Sequence, residues 1–151
     1  MLFRSLICSD SHTRLDYFQK AIETENAEMV IFAGDHSTDA IDMSLVYNEI
    51  PFKIVRGNTD YFDRETKDTG IFEIDGKKVL LTHGHLFGVK SNLKELEEKA
   101  ISEKVDICIF GHTHKEYMEE RNGIIYLNPG ALQDKKYVIY DNKKFEQKIL
   151  K

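Results

Sequence analysis

Apolar and polar positions alternate along the chain first as short strands separated by amphipathic helices, then as hairpins. Phe3 to Cys8 is a short apolar run predicted as a strand. Leu15 to Thr24 places Leu15, Phe18, Ala21 and Ile22 at helical spacing, and Met29 to Ala33 is a second apolar run. Asp42 to Glu49 predicts a helix stopped before Pro51, followed by a third strand from Phe52 to Val55. Short, continuously apolar strands alternating with helices imply a parallel sheet covered on both faces.

After Tyr61 the pattern changes to one with antiparallel pairs. Gly70 to Asp75 and Lys78 to Thr82 flank an Asp75-Gly76 turn, a strong hairpin signal. Asn92 to Lys104 predicts a charged helix with Leu93, Leu96 and Ala100 on one stripe, and Asp106 to Phe110 a buried strand. Two further hairpins are expected, Glu116 to Arg121 with Ile124 to Leu127 around Asn122-Gly123, and Tyr137 to Tyr140 with Phe145 to Ile149 around Asp141-Asn142.

With 151 residues and 41% hydrophobic content, the chain is long enough for one cored domain, expected to span 1–151. No run approaches the ~20 apolar residues of a membrane span, and the first residues lack a signal-peptide layout, so a cytoplasmic protein with no membrane partner is expected. Cys8 and Cys108 each sit inside an apolar run and read as buried core residues, without a disulfide. The net charge of -5 argues against an extended nucleic-acid footprint and hence against a nuclease. A small anionic substrate is compatible with that charge, because divalent ions reverse the local field.

The six histidines refine this picture. Each lies just after an apolar run, in Asp10-Ser11-His12, Gly34-Asp35-His36, His83-Gly84-His85 or Gly111-His112-Thr113-His114. Strand ends on a rigid sheet are where α/β proteins build sites, and neutral imidazole is a common metal ligand. In an extended segment residues two apart point the same way, so Asp10 and His12 can reach one ion. Gly34-Asp35 and Gly57-Asn58-Thr59-Asp60 add oxygen donors after the second and third strands. Asp10, His12, Asp35, Asn58, His83, His112 and His114 are too many for one tetrahedral ion. Without a thiolate, they suit two divalent ions such as Mn²⁺, Fe²⁺, Ni²⁺ or Zn²⁺.

In order and context, Asp10-x-His12, Gly34-Asp35, Gly57-Asn58-x-Asp60, His83 and Gly111-His112-x-His114 resemble the five-block signature of the calcineurin-like metallophosphoesterase superfamily. The chain's size, the His83-Gly84-His85 block and the Asn128-Pro129-Gly130 turn are similar to its small single-domain bacterial and archaeal phosphodiesterase branch. The resemblance implies an α/β fold, a four-layer α/β/β/α sandwich. It implies that Asp10, His12 and His114 hold a first metal, that Asp35 bridges, and that Asn58, His83 and His112 hold a second. The expected cofactor is a pair of divalent ions, Mn²⁺ foremost, and the expected activity is a phosphodiesterase in which a metal-activated hydroxide attacks phosphorus in line. A small phosphoester is the expected partner, and a homo-oligomer is allowed.

Three further residues are catalytic candidates. Asn58 is expected to contact metal or phosphate, Asp60 to orient neighbouring donors, and His85, in phase with His83, to face the phosphate or leaving group. His36 is expected to face away, and Asp39 to support the loops or cap a helix. Walls of the substrate pocket are expected from Tyr61 to Lys67, Phe87 to Asn92 and the Asn128-Pro129-Gly130 loop. The chain departs from the family pattern at Thr59, where many members carry a His that protonates or stabilises the leaving group. A threonine hydroxyl is no general acid near neutral pH, which favours good leaving groups and diesters over monoesters. The alternative is a catalytically weak protein-interaction scaffold on the same fold, as the retromer subunit of this type illustrates.

Overall fold

The computed structural model describes residues 3–151. In chain order the elements are β1 (Ser5–Cys8), α1 (Leu15–Glu25), β2 (Met29–Phe32), α2 (Ser37–Val46), β3 (Phe52–Ile54), β4 (Thr69–Ile74) and β5 (Lys77–Thr82). They continue with α3 (Lys94–Ser102), β6 (Ile107–Ile109), β7 (Tyr117–Arg121), β8 (Ile124–Asn128), β9 (Lys136–Asp141) and β10 (Lys144–Ile149). Short 3-10 turns occupy His85–Phe87 and Leu132–Asp134.

The strands form two five-stranded sheets, ordered β10-β9-β1-β2-β3 and β4-β5-β6-β8-β7. Strands β1, β2 and β3 pair in parallel, as their alternation with helices predicts. The final hairpin, however, returns to this first sheet, with β9 antiparallel to β1. Its side chains explain the position. Tyr137 and Ile139 face one core and Val138 and Tyr140 the other, so β9 needs cover on both faces, whereas β10 is mostly exposed and takes the edge.

Three apolar layers hold the sandwich together. Leu6, Cys8, Val30 and Phe32 of the first sheet pack against Phe18, Ala21 and Ile22 of α1 and Ala40 and Met43 of α2. The alternate residues Ile7 and Ile31 turn inward to meet Val79, Leu81, Ile107, Ile109 and Leu127 of the second sheet. On the outer face of that sheet, Leu80, Cys108 and Tyr126 pack on Leu96 and Ala100 of α3. The result is the four-layer α/β/β/α arrangement. Both cysteines are free and buried, and burial pushes their thiols far above the ordinary range.

Helix α2 begins five residues before the predicted start at Asp42 and ends at Val46, short of Glu49. Its N-terminus is secured from a distance, which no local pattern reveals. Asp60 Oδ1 accepts the Ser37 N–H at 3.0 Å, and Ser37 Oγ donates to Asp63 Oδ2 at 2.6 Å. The predicted turn Asp141-Asn142 lies one residue later, at Asn142-Lys143, where both residues have left-handed φ of 50° and 64°.

Candidate metal centre

The loops following β1, β2, β3, β5 and β6 converge at one end of the sandwich. Close approach of these loops depends on residues without side chains. A Cβ at Gly57 would stand 2.1 Å from Asp35 Oδ1, and one at Gly111 would stand 2.8 Å from Asp10 Oδ2. Neither Gly57 nor Gly111 has a positive φ, so the requirement there is space, whereas Gly34, with φ of 102°, makes the turn before Asp35. The donors themselves occupy unusual backbone. Asp10, His12, Asp35, His112 and His114 all have left-handed φ, between 44° and 71°. For residues with a Cβ, such conformations cost about 1 kcal/mol or more each and gather where a site over-determines them.

Two triads result, Asp10 with His12 and His114, and Asp35 with His83 and His112, each with donor atoms within 4.8 Å of one another. The two carboxylates are held alike. Asp10 Oδ2 accepts Ser9 Oγ at 2.7 Å and the His112 N–H at 3.3 Å. Asp10 Oδ1 is buried without a hydrogen-bond partner and faces Nε2 of His114 at 3.2 Å, His83 at 3.8 Å and His12 at 3.9 Å. Asp35 Oδ1 accepts the Thr59 N–H at 3.1 Å and Thr59 Oγ1 at 3.0 Å, which leaves Oδ2 facing His83 Nε2 at 3.3 Å.

His83 Nδ1 lies 2.9 Å from the Ala33 carbonyl, which can only accept, so this nitrogen carries a proton. The Nε2 atom therefore points inward, 3.2 Å from His112 Nδ1. His12 Nε2 is likewise buried with no partner. Lone pairs and carboxylate charge thus crowd around common points, an arrangement that is costly without cations and suited to them. Nitrogen and carboxylate donors of this kind fit two borderline divalent ions.

Titration behaviour reflects the crowding. Burial alone would raise the Asp35 carboxyl, yet the hydrogen bond and charge of His83 and the two Thr59 donors carry it well below the usual carboxylate range. Asp10 is raised by burial, against the pull of His83. Burial opposes protonation of His83, but Asp35 and Asp10 prevail and raise it. His112 falls to about 4 through burial and the neighbouring charges of His83 and Lys90.

The other candidates surround this cluster. Asn58 is exposed and lines a cavity of about 330 Å³ with Arg56, Tyr61, Asp68 and His85. His85 contributes a buried Nδ1 without a partner, and its ring lies 5.4 Å from His83 and 6.2 Å from His112. Asp60 is turned into the scaffold. Its two oxygens accept the N–H groups of Ser37, at 3.0 Å, and Gly57, at 2.8 Å, tying the start of α2 to the loop that carries Asn58. Asp39 is no helix cap. Its Oδ2 accepts Ser11 Oγ at 2.7 Å and the Thr13 N–H at 2.8 Å and so fixes the loop of His12.

His36, expected to face away, instead packs its ring 4.8 Å from that of His12, because its left-handed φ of 63° swings it across the start of α2. Asn128, expected in a pocket wall, is fully buried and donates to the Gly111 carbonyl at 3.1 Å and Thr113 Oγ1 at 3.0 Å, bracing the loop of His112 and His114. Sequence reasoning missed Gln133, whose side-chain amide lies 3.1 Å from His114 Nδ1. It sits on a 3-10 turn after β8, a place no spacing rule connects to His114.

A family model, the calcineurin-like phosphoesterase superfamily domain, matches residues 3–143. The chain is 32% identical over 130 residues to the probable metallophosphoesterase YsnB of Bacillus subtilis, covering 85% of this chain and 74% of that protein. It is 31% identical over 140 residues to a phosphodiesterase of Methanocaldococcus jannaschii, covering 82% and 81%. Vps29 of Chaetomium thermophilum superposes with a TM-score of 0.79 over 99% of this chain and 95% of its own, at 16% identity, which shows a shared fold. No helix among the described residues is long and apolar enough to cross a membrane. With its strand-end donors and near-complete match to the model, this chain belongs to the calcineurin-like phosphoesterase superfamily.

Proposed function

We propose that the chain is a two-metal phosphodiesterase acting on a small phosphoester, with Mn²⁺ as the working ion and the cytoplasm as its compartment. The observation that carries this reading is the matched pair of carboxylates. Each has one oxygen fixed by protein donors and the other turned towards imidazoles. Asp10, His12 and His114 would hold one ion, His83, His112 and Asn58 the second, and Asp35 would bridge them. Bound there, the two ions would acidify water and draw charge from the phosphoryl oxygens.

The chain's own groups orient and limit the chemistry. The proton on His83 Nδ1, held by Ala33, keeps Nε2 turned to the centre. Thr59 holds Asp35 in place and offers no acid for the leaving group, so departure depends on the leaving group's own stability. His85 and Asn58, at the wall of the adjoining cavity, are positioned to touch the ester oxygens. Asp60 acts at one remove, through the Gly57 backbone.

The scaffold reading draws on the likeness to Vps29 and on Thr59, but a scaffold has no need for strained backbone at five donor residues. Hydrolysis of bis(p-nitrophenyl) phosphate by protein supplied with Mn²⁺ is the test. Turnover that is abolished by chelation and in His112→Ala supports the enzyme. Inactivity with Mn²⁺, Fe²⁺, Ni²⁺ and Zn²⁺ alike favours the scaffold.

A further inference from the structure

A groove of about 530 Å³ opens beside the donor cluster, a size typical of small-molecule sites. Its apolar wall is built from Val89, Leu93, Phe110 and Tyr117, with the Phe110 and Tyr117 rings 6.2 Å apart. Thr113, between His112 and His114, lines the same groove and joins it to the site. Two lysines, Lys90 and Lys115, stand exposed at its rim.

The charge here runs against that of the chain, which carries 26 acidic and 21 basic residues. Among the described residues the lysine ion pairs engage Lys99, Lys136 and Lys148, and neither Lys90 nor Lys115 has a carboxylate in reach. Glu116, the groove's one acid, is itself paired with Lys136 at 3.0 Å. An apolar wall, two unneutralised cations and a shared edge with the reacting centre define a ligand with matching parts.

We propose that this groove seats the ester arm of the phosphodiester substrate, an arm with an apolar planar body and a negative charge of its own. This rests on the phosphodiesterase reading and names its substrate class. The ring lies against Leu93, Phe110 and Tyr117, its negative group meets Lys90 and Lys115, and the phosphorus lies at the donor cluster.

Three diesters that share the p-nitrophenolate leaving group test it, with methyl, phenyl or 4-carboxyphenyl as the retained arm. The value of kcat/KM is expected to rise about tenfold from methyl to phenyl through apolar burial, and about tenfold again for carboxyphenyl through the lysines. The double variant Lys90→Ala/Lys115→Ala, altering two exposed and unpaired residues, is expected to erase the second step while the ratio of phenyl to methyl rates stays as in the wild type. Equal rates for all three arms, or an equal loss on all three in the variant, overturn the proposal.

A binding measurement separates this outcome from failure of the enzyme itself. 4-Carboxyphenylphosphonate is expected to shift the amide resonances of Leu93, Thr113 and Lys115, with affinity lost in the double variant. Should no diester turn over while these shifts appear, the groove stands and the activity falls. Turnover with equal rates and no groove shifts removes the groove and leaves the activity.

Discussion

Thr59 donates twice to Asp35, from its backbone N–H at 3.1 Å and from Oγ1 at 3.0 Å, both to Oδ1. Position 59, where the family resemblance implies a leaving-group histidine, is here occupied by a clamp on the proposed bridging carboxylate. Thr59→Val removes the hydroxyl bond and keeps the shape. Mn²⁺ affinity, read by calorimetry, is expected to fall about tenfold, with activity regained at saturating metal. Unchanged affinity would show that Oγ1 plays no part in holding Asp35.

The same residue bears on substrate preference. Without a proton donor at position 59, kcat/KM across aryl and alkyl diesters should fall steeply as the leaving group's pKa rises, and alkyl phosphate monoesters should be poor substrates. A flat dependence, with monoesters turned over as fast as diesters, would reveal an acid elsewhere, His85 in the cavity lined by Asn58 being a candidate.

Gly57 backs directly on Asp35. Gly57→Ala is expected to cost about 1–3 kcal/mol of stability through overpacking and to weaken metal binding by displacing Asp35. Gly70→Ala is the control, because a Cβ there meets only Val55 at an ordinary 3.7 Å. Urea unfolding and metal titration of both variants check the contrast. A wild-type metal affinity in Gly57→Ala would contradict it.

The residues that converge in the two triads were legible in the sequence because residue types, order and strand-end context coincide, and the βα alternation and turn dipeptides revealed most strands. Asp60 and Asp39 were expected as supports, but the partners of such through-space supports were not readable. Asp60 ties a loop to the start of α2, Asn128 braces the loop of His112, and Gln133 meets His114, each across 15 to 23 residues that no periodicity links. The placement of β9 beside β1 was likewise hidden, since hairpin signals specify a partner strand but not the sheet that receives the pair. The early start of α2 depends on Asp60 in the same manner.

Gln133 offers its own test. Gln133→Leu removes the polar group beside His114 Nδ1 while keeping bulk, so the ring loses an orienting partner. Metal affinity is expected to fall about tenfold with thermal stability of the metal-free protein nearly unchanged. An equal loss of stability without metal would mark Gln133 as a packing residue only.

Three buried tyrosines make stability sensitive to alkali. Burial raises Tyr126 and Tyr140 to about 12, and Tyr137 rises further through burial and its hydrogen bond to Glu25 Oε2 at 2.5 Å. Unfolded phenols lose their protons near pH 10, before the folded ones do, so the unfolded state binds fewer protons above that pH. The tyrosine contribution is therefore full below pH 10 and declines as pH climbs towards 12 and beyond, while the two buried thiols, raised in the same way, begin the decline from about pH 8.5. Urea midpoints from pH 8 to 11.5 should fall gently as the unfolded thiols ionise and more steeply above pH 10, less so in Tyr137→Phe. A midpoint independent of pH would contradict these shifts.

Calorimetric titration of metal-free protein with Mn²⁺ tests the two-triad centre most directly. Two ions per chain are expected for the wild type, one in His12→Ala and one in His112→Ala, each variant losing the ion of its own triad, with both weakened in Asp35→Ala. A single ion in the wild type, or two ions retained in both histidine variants, would contradict the account.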